Sequence, residues 1–191
     1  MKKKIAVFCG SASGTNPIYI EEAKRLGSLL AEQNRGLVYG GAQVGCMGAI
    51  ANQVLEKEGH VHGVIPKKLM RVEVAHQHLT QLDVVETMHE RKAKMAELSD
   101  AFVALPGGAG TLEEWFEVFT WAQLGYHQKP CGVLNVAGFY DPFLSMIDHT
   151  IEQGFMNPQY KELIIVADSS ESLLKQLDDY EPISISKWSE G

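Results

Sequence analysis

A glycine-rich segment in the second half of the chain is followed directly by two carboxylates. The segment runs Pro106-Gly107-Gly108-Ala109-Gly110-Thr111, and Glu113 and Glu114 come two and three residues later. Glycine lets backbone amides approach a phosphate closely. An ionised carboxylate beside a phosphosugar can stabilise positive charge that develops at an anomeric carbon. The structural alternative is a capping box, in which Thr111 is the N-cap of a helix and Glu114 reaches back to it.

Two basic residues precede this segment in the sequence Met88-His89-Glu90-Arg91-Lys92. Arg91 can bind a phosphate through two parallel hydrogen bonds, and Lys92 can add a point charge. The alternative is that both are solvated charges on a helix surface. The predicted helix leads into the strand before the glycine-rich segment, and the residues alone leave both interpretations open.

Two more glycine-rich loops, 10–14 and 40–45, also follow predicted strands, so the three together favour an anion pocket. None of them has the G-x-x-x-x-G-K-[ST] pattern of a phosphate loop, and the first is not G-x-G-x-x-G. The second strand ends in Tyr39-Gly40, without the acidic residue that binds a ribose of a nicotinamide dinucleotide. A mononucleotide or a sugar phosphate suits such a pocket better.

Short apolar runs alternate with helical patterns along the chain, which predicts an α/β fold with a doubly wound, mainly parallel sheet and helices on both faces. In this class ligands bind at the carboxyl ends of strands where the strand order reverses. We expect a single domain over 1–180 and a flexible tail over 181–191. The predicted strands are 5–9, 36–39, 60–65, 82–85, 101–105, 132–136 and 163–166, and the predicted helices are 17–34, 48–58, 90–99, 112–124, 141–153 and 170–177.

The helix predicted over 112–124 leaves two questions open. Glu113, Glu117 and Thr120 fall on one helical stripe, whereas Glu114 projects elsewhere. Periodicity therefore does not decide which glutamate meets a sugar. The helix is also apolar on almost every side, so it must be covered on more than one side. A second subunit or a neighbouring helix of the same chain would provide that cover.

Composition excludes several classes of function. The 191 residues carry a formal net charge of −7, which disfavours nucleic acid as a partner. No stretch approaches the ~18 consecutive apolar residues of a membrane span. Cys9, Cys46 and Cys131 are far apart and odd in number, a pattern typical of free thiols in a reducing cytoplasm. The pairs His60-x-His62 and His76-x-His78 lack an evident third ligand, so we predict no metal site.

Two of these segments together resemble one protein family. The sequence PGGAGTLEE at 106–114 matches the PGGxGTxxE motif of the LONELY GUY (LOG) family, and MHERK at 88–92 resembles the companion MHxRK segment at the matching distance upstream. The likeness extends from Ile5 to about Leu177, which is nearly the whole chain.

The resemblance implies a Rossmann-like fold, a homodimer and cytokinin riboside 5'-monophosphate phosphoribohydrolase activity. The substrate would be a nucleoside 5'-monophosphate, and the products a free adenine-type base and ribose 5-phosphate, without a metal or cofactor. Many family members were labelled lysine decarboxylases, but nothing in this sequence looks like a pyridoxal-phosphate lysine site.

The family's functional residues can be carried over by position. Arg91 and Glu114 resemble its catalytic pair, so the motif match selects Glu114 over Glu113. Ala109 stands where many members have an aromatic residue, which leaves the base preference open. The residues that resemble substrate contacts are Glu73, Arg91, Lys92, Gly107, Gly108, Ala109, Gly110, Thr111, Leu112, Glu113 and Thr120.

Two rival functions use the same motifs. A nucleotide or molybdenum-cofactor carrier needs the glycine loop and the cation but no catalytic carboxylate, so Thr111-x-x-Glu114 with Arg91 favours an enzyme. A phosphotransferase would need a lysine-containing phosphate loop and metal-binding acids, which the sequence lacks.

Overall fold

In the part of the chain that the structure describes, seven short strands form one parallel sheet in the order β4-β3-β2-β1-β5-β6-β7. The computed structural model describes residues 3–70 and 75–183, and each pair of neighbouring strands is parallel. The inner strands are buried on both faces, which accounts for their continuous apolar sequences. The strands are β1 (Lys4–Phe8), β2 (Gly36–Tyr39), β3 (Val61–Pro66), β4 (Gln81–Val85), β5 (Ala101–Ala104), β6 (Cys131–Leu134) and β7 (Ile164–Ala167).

The α-helices in the described residues are divided between the two faces of the sheet. They are α1 (Ile18–Glu32), α2 (Gly45–Glu56), α3 (Met88–Leu98), α4 (Ala109–Gln123), α5 (Asp141–Glu152) and α6 (Ser170–Asp179). Apolar side chains of α1, α2 and α6, such as Leu26, Ile50 and Leu173, form the core on one face. Met95 of α3 and Trp115 of α4 are buried in the core on the other face, and Phe143 of α5 packs against it.

The strand order reverses at β1, whose neighbours are β2 on one side and β5 on the other. The chain leaves β1 for α1 on one face and leaves β5 for α4 on the opposite face. The two connections therefore diverge and open a crevice at the carboxyl ends of the strands. Gly10 N donates to Pro106 O at 3.1 Å and holds the loops together at the base of this crevice. The prediction of a doubly wound parallel sheet is confirmed.

Helix α4 begins at Ala109, three residues before the predicted start at Leu112. The predicted start is wrong because Ala109 and Gly110 belong to a glycine-rich segment, and such a segment is typical of a loop. Glycine in a helix costs about 1 kcal/mol of stability relative to alanine. This cost is offset here because the buried side chains of Thr111 and Trp115 hold the first turns of α4 on the sheet. At the other end of the chain, residues 181–183 follow α6 outside any helix or strand, and the rest of the predicted tail, 184–191, lies outside the described residues.

Candidate active site

A cavity of about 300 Å³ opens at the crevice. This is the lower limit of the usual size of small-molecule sites. The walls come from the loop after β1 and from the first turns of α2, α3 and α4, so four segments that are distant in sequence meet here. The described lining residues are Cys9, Gly10, Ser11, Met47, Met88, Arg91, Gly108, Ala109, Gly110, Thr111, Glu113 and Glu114.

The amino-terminal turn of α4 forms one wall of the cavity. Gly108 is the N-cap, and within residues 3–70 and 75–183 no side-chain hydrogen bond caps this end of the helix. The first intrahelical bond runs from Leu112 N to Gly108 O at 3.2 Å, which leaves the amides of residues 109–111 without intrahelical acceptors. A Cβ built on Gly108 or Gly110 would meet no atom within 4 Å, so these glycines border open space. Amide donors and the positive helix end together suit an anion.

The alternative interpretation of Thr111 and Glu114 as a capping box is wrong. Thr111 is buried inside the first turn of α4, and the N-cap is Gly108. A Cβ on Gly107 would lie 2.1 Å from Thr111 Oγ1, so only glycine allows Thr111 this close approach to the loop. Glu114 consequently lies beyond the first turn, and its side chain lines the cavity.

Side-chain capping of this kind is found instead at the start of α3. Thr87 Oγ1 accepts a hydrogen bond from Glu90 N at 3.1 Å, and Glu90 Oε2 accepts one from Glu86 N at 2.9 Å. Arg91 N donates to Thr87 O at 3.1 Å. The capped turn thereby fixes the position from which the Arg91 side chain enters the cavity.

Arg91 and Glu114 form a buried ion pair across the cavity. Arg91 Nη2 lies 3.2 Å from Glu114 Oε1, and the two side chains are only 4% and 7% exposed. A Cβ on Gly40, after β2, would lie 2.2 Å from Arg91 Nη2, so the guanidinium occupies the space that this glycine leaves open. Burying either charge alone would be costly, and each one compensates the other. The predicted catalytic pair is thus brought together in one cavity.

Lys92 lies beside this pair but interacts with different carboxylates. Its Nζ is 2.5 Å from Glu113 Oε1 and 3.0 Å from Glu117 Oε1, and its side chain is 10% exposed. Desolvation lowers the pKa of Lys92, but hydrogen bonds to Glu113 and Glu117 outweigh it and raise the pKa above the ordinary value. Lys92 is therefore a charged residue that bridges α3 and α4 at the rim of the cavity.

The loops before α1 and α2 pack mainly against each other. Cys46 N donates to Ala12 O at 3.4 Å, and Met47 N donates to Gly10 O at 3.3 Å. Gly45 has a φ of +58°, and a Cβ there would lie 2.4 Å from the carbonyl carbon of Ser11. Because these carbonyls take up amides of the first turn of α2, that turn is less open to an anion than the first turn of α4.

Cys9 lies at the cavity but is not suited to act as a nucleophile. Burial raises the pKa of its thiol well above the ordinary value, and the charges of Cys46 and Glu114 act in the same direction. The group that attacks as a nucleophile is the thiolate, and burial disfavours this form. Packing is therefore the role that the surroundings of Cys9 support.

The structure brings most of the predicted site residues to the cavity, although not all of them. The predicted residues that line it are Arg91, Gly108, Ala109, Gly110, Thr111, Glu113 and Glu114. Gly107 lines an adjoining apolar cavity of about 270 Å³. Lys92, Leu112 and Thr120 are absent from the lining that the structure describes, and Glu73 lies outside the described residues.

Five lining residues were missing from the predicted set: Cys9, Gly10, Ser11, Met47 and Met88. The first three had a usable signal, because they end β1 and begin the first glycine-rich loop at the predicted reversal of strand order. Met88 belongs to the MHERK segment, but nothing about a methionine at that position indicates that its side chain faces a ligand. Nothing in the sequence around Met47 indicates that its side chain lines a cavity.

Residues 3–70 and 75–183 contain neither a metal-ligating cluster nor a membrane-spanning helix. No group of three or more histidine, cysteine, aspartate or glutamate side chains there could hold a metal ion. None of the helices in these two ranges is long and apolar enough to cross a membrane.

The chain matches known proteins over most of its length. Residues 47–177 match a family model described as possible lysine decarboxylase. The cytokinin riboside 5'-monophosphate phosphoribohydrolase LOG7 of Arabidopsis thaliana is 49% identical over 94% of this chain and 83% of that protein. The phosphoribohydrolase LOG of Oryza sativa subsp. japonica is 49% identical over 94% of this chain and 74% of its own length.

Solved structures with a similar fold are more distant in sequence. The molybdenum cofactor binding protein of Rippkaea orientalis superposes with a TM-score of 0.70 at 23% identity, over 94% of this chain and 97% of that chain. The protein TM1055 gives a TM-score of 0.71 at 19% identity, over 93% of this chain and 99% of that chain. At such identities the likeness establishes the Rossmann-type fold and nothing about the ligand.

Proposed function

The chain belongs to the LOG family, and from this premise we propose that it hydrolyses the N-glycosidic bond of a nucleoside 5'-monophosphate. The proposed products are a free adenine-type base and ribose 5-phosphate. The curated relatives from Arabidopsis and rice are named for this reaction on cytokinin riboside 5'-monophosphates, and we propose the same substrate class here.

One observation carries the proposal: a buried carboxylate and a buried guanidinium lie beside an uncapped helix amino terminus. The amides of residues 109–111 suit a phosphate. Glu114 lines the same cavity, about one helical turn from these amides. A 5'-phosphate and a reacting C1′ atom belong to one ribose, so a single ligand can reach both features.

The proposed mechanism assigns one task to each group. The phosphate accepts hydrogen bonds from the amides of residues 109–111, with Arg91 adding positive charge, so that the ribose is held with C1′ toward Glu114. As the bond between C1′ and the base lengthens, the Glu114 carboxylate stabilises the oxocarbenium-like sugar and orients a water molecule. The water oxygen bonds to C1′ and gives up one proton, and the base leaves with the electron pair of the broken bond and takes up one proton, so that one water is consumed for each base released.

The remaining predicted contacts are proposed at the edge of this complex. Glu113 lines the cavity and can meet the sugar, and Lys92 contributes positive charge at the rim. Thr120 is exposed and lies nine residues after Thr111, which is about 13.5 Å along a helix. A contact from Thr120 would therefore involve the base end of the substrate. Glu73, Gly107 and Leu112 keep the roles that the family resemblance implies.

Direct assay tests the reaction. The protein is incubated with AMP and, separately, with isopentenyladenosine monophosphate, and chromatography measures free base and ribose 5-phosphate. We expect equimolar release of both products from at least one nucleotide, and none from adenosine, because adenosine has no phosphate for the first turn of α4. Absence of base release from these and other nucleoside monophosphates would overturn the proposal.

Two other activities have less support. The molybdenum-cofactor binding protein shares only the fold at 23% identity, and binding alone does not require the buried Glu114 carboxylate. Lysine decarboxylation with pyridoxal phosphate requires a lysine that forms a Schiff base. The cavity lining, as far as the structure describes it, contains no lysine.

We further propose that the protein is a homodimer in the cytoplasm. Helix α4 exposes Phe116, and Leu124 and Tyr126 extend this apolar surface beyond its carboxyl end. A second copy would cover these side chains, in line with the apolar character of the helix on nearly every side. Sedimentation should give twice the 21.1 kDa mass of the chain. The three cysteines are free thiols, as is usual in a reducing compartment.

A further inference from the structure

The two helices that supply the proposed catalytic pair rest on different parts of the sheet. Helix α3 packs mainly on β1 to β4, whereas α4 packs on β1, β5 and β6. Long side chains bridge the space between them: Arg91 reaches Glu114, and the next residue, Lys92, reaches Glu113 and Glu117. The relative position of the two helices at the cavity therefore depends on these side chains.

The two carboxylates that hold Lys92 are not equivalent. The Glu113 side chain is 54% exposed, whereas the Glu117 side chain is 24% exposed. A mobile, solvated carboxylate contributes little to fixing a lysine, since screening and side-chain entropy offset the attraction. The better-buried Glu117 is the partner that sets the position of the Lys92 ammonium group.

Charge balance keeps Lys92 beside Glu117 when a ligand binds. Glu117 Oε2 is buried and has no hydrogen-bond partner among the described residues, so the Lys92 contact at Oε1 is the charge compensation that the structure gives Glu117. Moving Lys92 toward a phosphate would leave a largely buried carboxylate uncompensated, at a considerable cost in free energy. The bridge is therefore a fixed part of the site.

We propose that Glu117 is a positioning residue, which acts through Lys92 to set α3 against α4 and so aligns Arg91 with Glu114. This inference rests on the proposed function, because its effect is expressed in base release. Glu117 is not among the described residues that line the cavity, so we assign it no direct contact with the substrate. Misplacing reacting groups by about 1 Å can cost as much as a hundredfold in rate, so loss of the bridge should lower kcat.

The test is Glu117→Gln, which preserves the shape of the side chain and removes its charge. We expect kcat for the better nucleotide to fall about tenfold or more, while KM stays within about twofold because the Lys92 charge is retained. Glu97→Gln is the matched control, since it removes an exposed carboxylate that pairs with Lys94 on the same α3 helix. The control should retain the kcat, KM and melting temperature of the wild type.

A double-mutant cycle tests the route through Lys92. If Glu117 acts through Lys92, then adding Glu117→Gln to Lys92→Gln should change kcat by less than about twofold. The proposal is overturned if Glu117→Gln leaves kcat unchanged, if it raises KM without lowering kcat, or if the two losses multiply. A wild-type protein that releases no base would overturn the proposed function as well, whereas an active wild type with an unaffected Glu117→Gln variant would overturn this inference alone.

Discussion

Two adjacent glutamates of the same chemistry have different surroundings because consecutive residues on a helix point about 100° apart. Glu114 is turned toward the buried Arg91, and Glu113 is turned toward Lys92 at the rim. A carboxylate that faces a reacting carbon acts strongly only where water is excluded. Burial therefore favours Glu114 for the proposed chemistry, as the motif does, whereas periodicity left the choice open.

Glu114→Gln removes the charge and keeps the size of the side chain. We expect kcat to fall about a hundredfold to a thousandfold, the usual cost of losing one electrostatic stabiliser in a transition state. Binding should persist, because the amides of residues 109–111 are unchanged. Steady-state kinetics and calorimetric titration with AMP measure the two effects separately. Turnover at the wild-type rate would remove Glu114 from the mechanism.

Gly40→Ala tests the space that Arg91 occupies. The added methyl group would lie 2.2 Å from Arg91 Nη2 and 2.7 Å from the Met47 methyl group, so both side chains must move. We expect kcat to fall about tenfold to a hundredfold as the guanidinium leaves Glu114. Thermal unfolding checks that the variant is folded. A folded variant with unchanged kcat would show that the position of Arg91 is not critical.

At the scale of helices and strands, the sequence predicted the type and order of the described elements well, but it placed the starts of α2 and α4, which both border the site, three residues too late. Continuous apolar runs identify strands such as β1 and β5, because both faces are buried. The start of α4 was misplaced because Gly110 and Thr111 are equally typical of loops and caps. Thr111 packs closely against Gly107 in the same segment, and Trp115 is buried in the core beneath the helix, which together place the start at Ala109.

The cap of α3 provides a test at this scale. Thr87→Ala removes the acceptor for Glu90 N, which should lower the free energy of unfolding by about 1 kcal/mol. Because Arg91 lies in the next turn, we also expect a severalfold decrease in kcat. Ser169→Ala is the matched control, since Ser169 caps α6 through Ser172 N, and neither residue is among those lining the cavity. Equal losses of kcat in the two variants would contradict the proposed link between the α3 cap and Arg91.

For the whole molecule, topology predicted where the site lies but not every residue that builds it. Parallel strands with a reversal at β1 place a crevice at the loops after β1 and β5 in any such sheet. The residues of these loops were therefore predictable from the sequence. Met47 and the Lys92–Glu117 contact arise only when α2, α3 and α4 converge on that crevice. Contacts between elements distant in sequence have no signature within either element.

The free energy of unfolding should decrease as the pH falls below 6.5, the ordinary pKa of histidine. Burial lowers the pKa values of His60, His76 and His127 from the usual 6.5. Below pH 6.5 the unfolded chain binds protons that the folded chain still excludes, so the free energy of unfolding decreases as the pH falls. It reaches its full value above pH 6.5. Urea unfolding from pH 7.5 to 5 measures this decrease.

The choice of pH range and of variant makes this prediction specific to the buried histidines. Glu171 and Asp178 also have lowered pKa values, but the ordinary carboxyl pKa values are 4.5 and 3.8. Their contribution to the free energy of unfolding is therefore lost only below pH 5. His127→Asn should weaken the pH dependence, because the substitution removes one of the buried imidazoles: His127 Nε2 donates a hydrogen bond to Val118 O at 2.8 Å, and the ring packs against Phe102. A stability that is constant from pH 7.5 to 5 would contradict the burial of these rings as the source of their lowered pKa values.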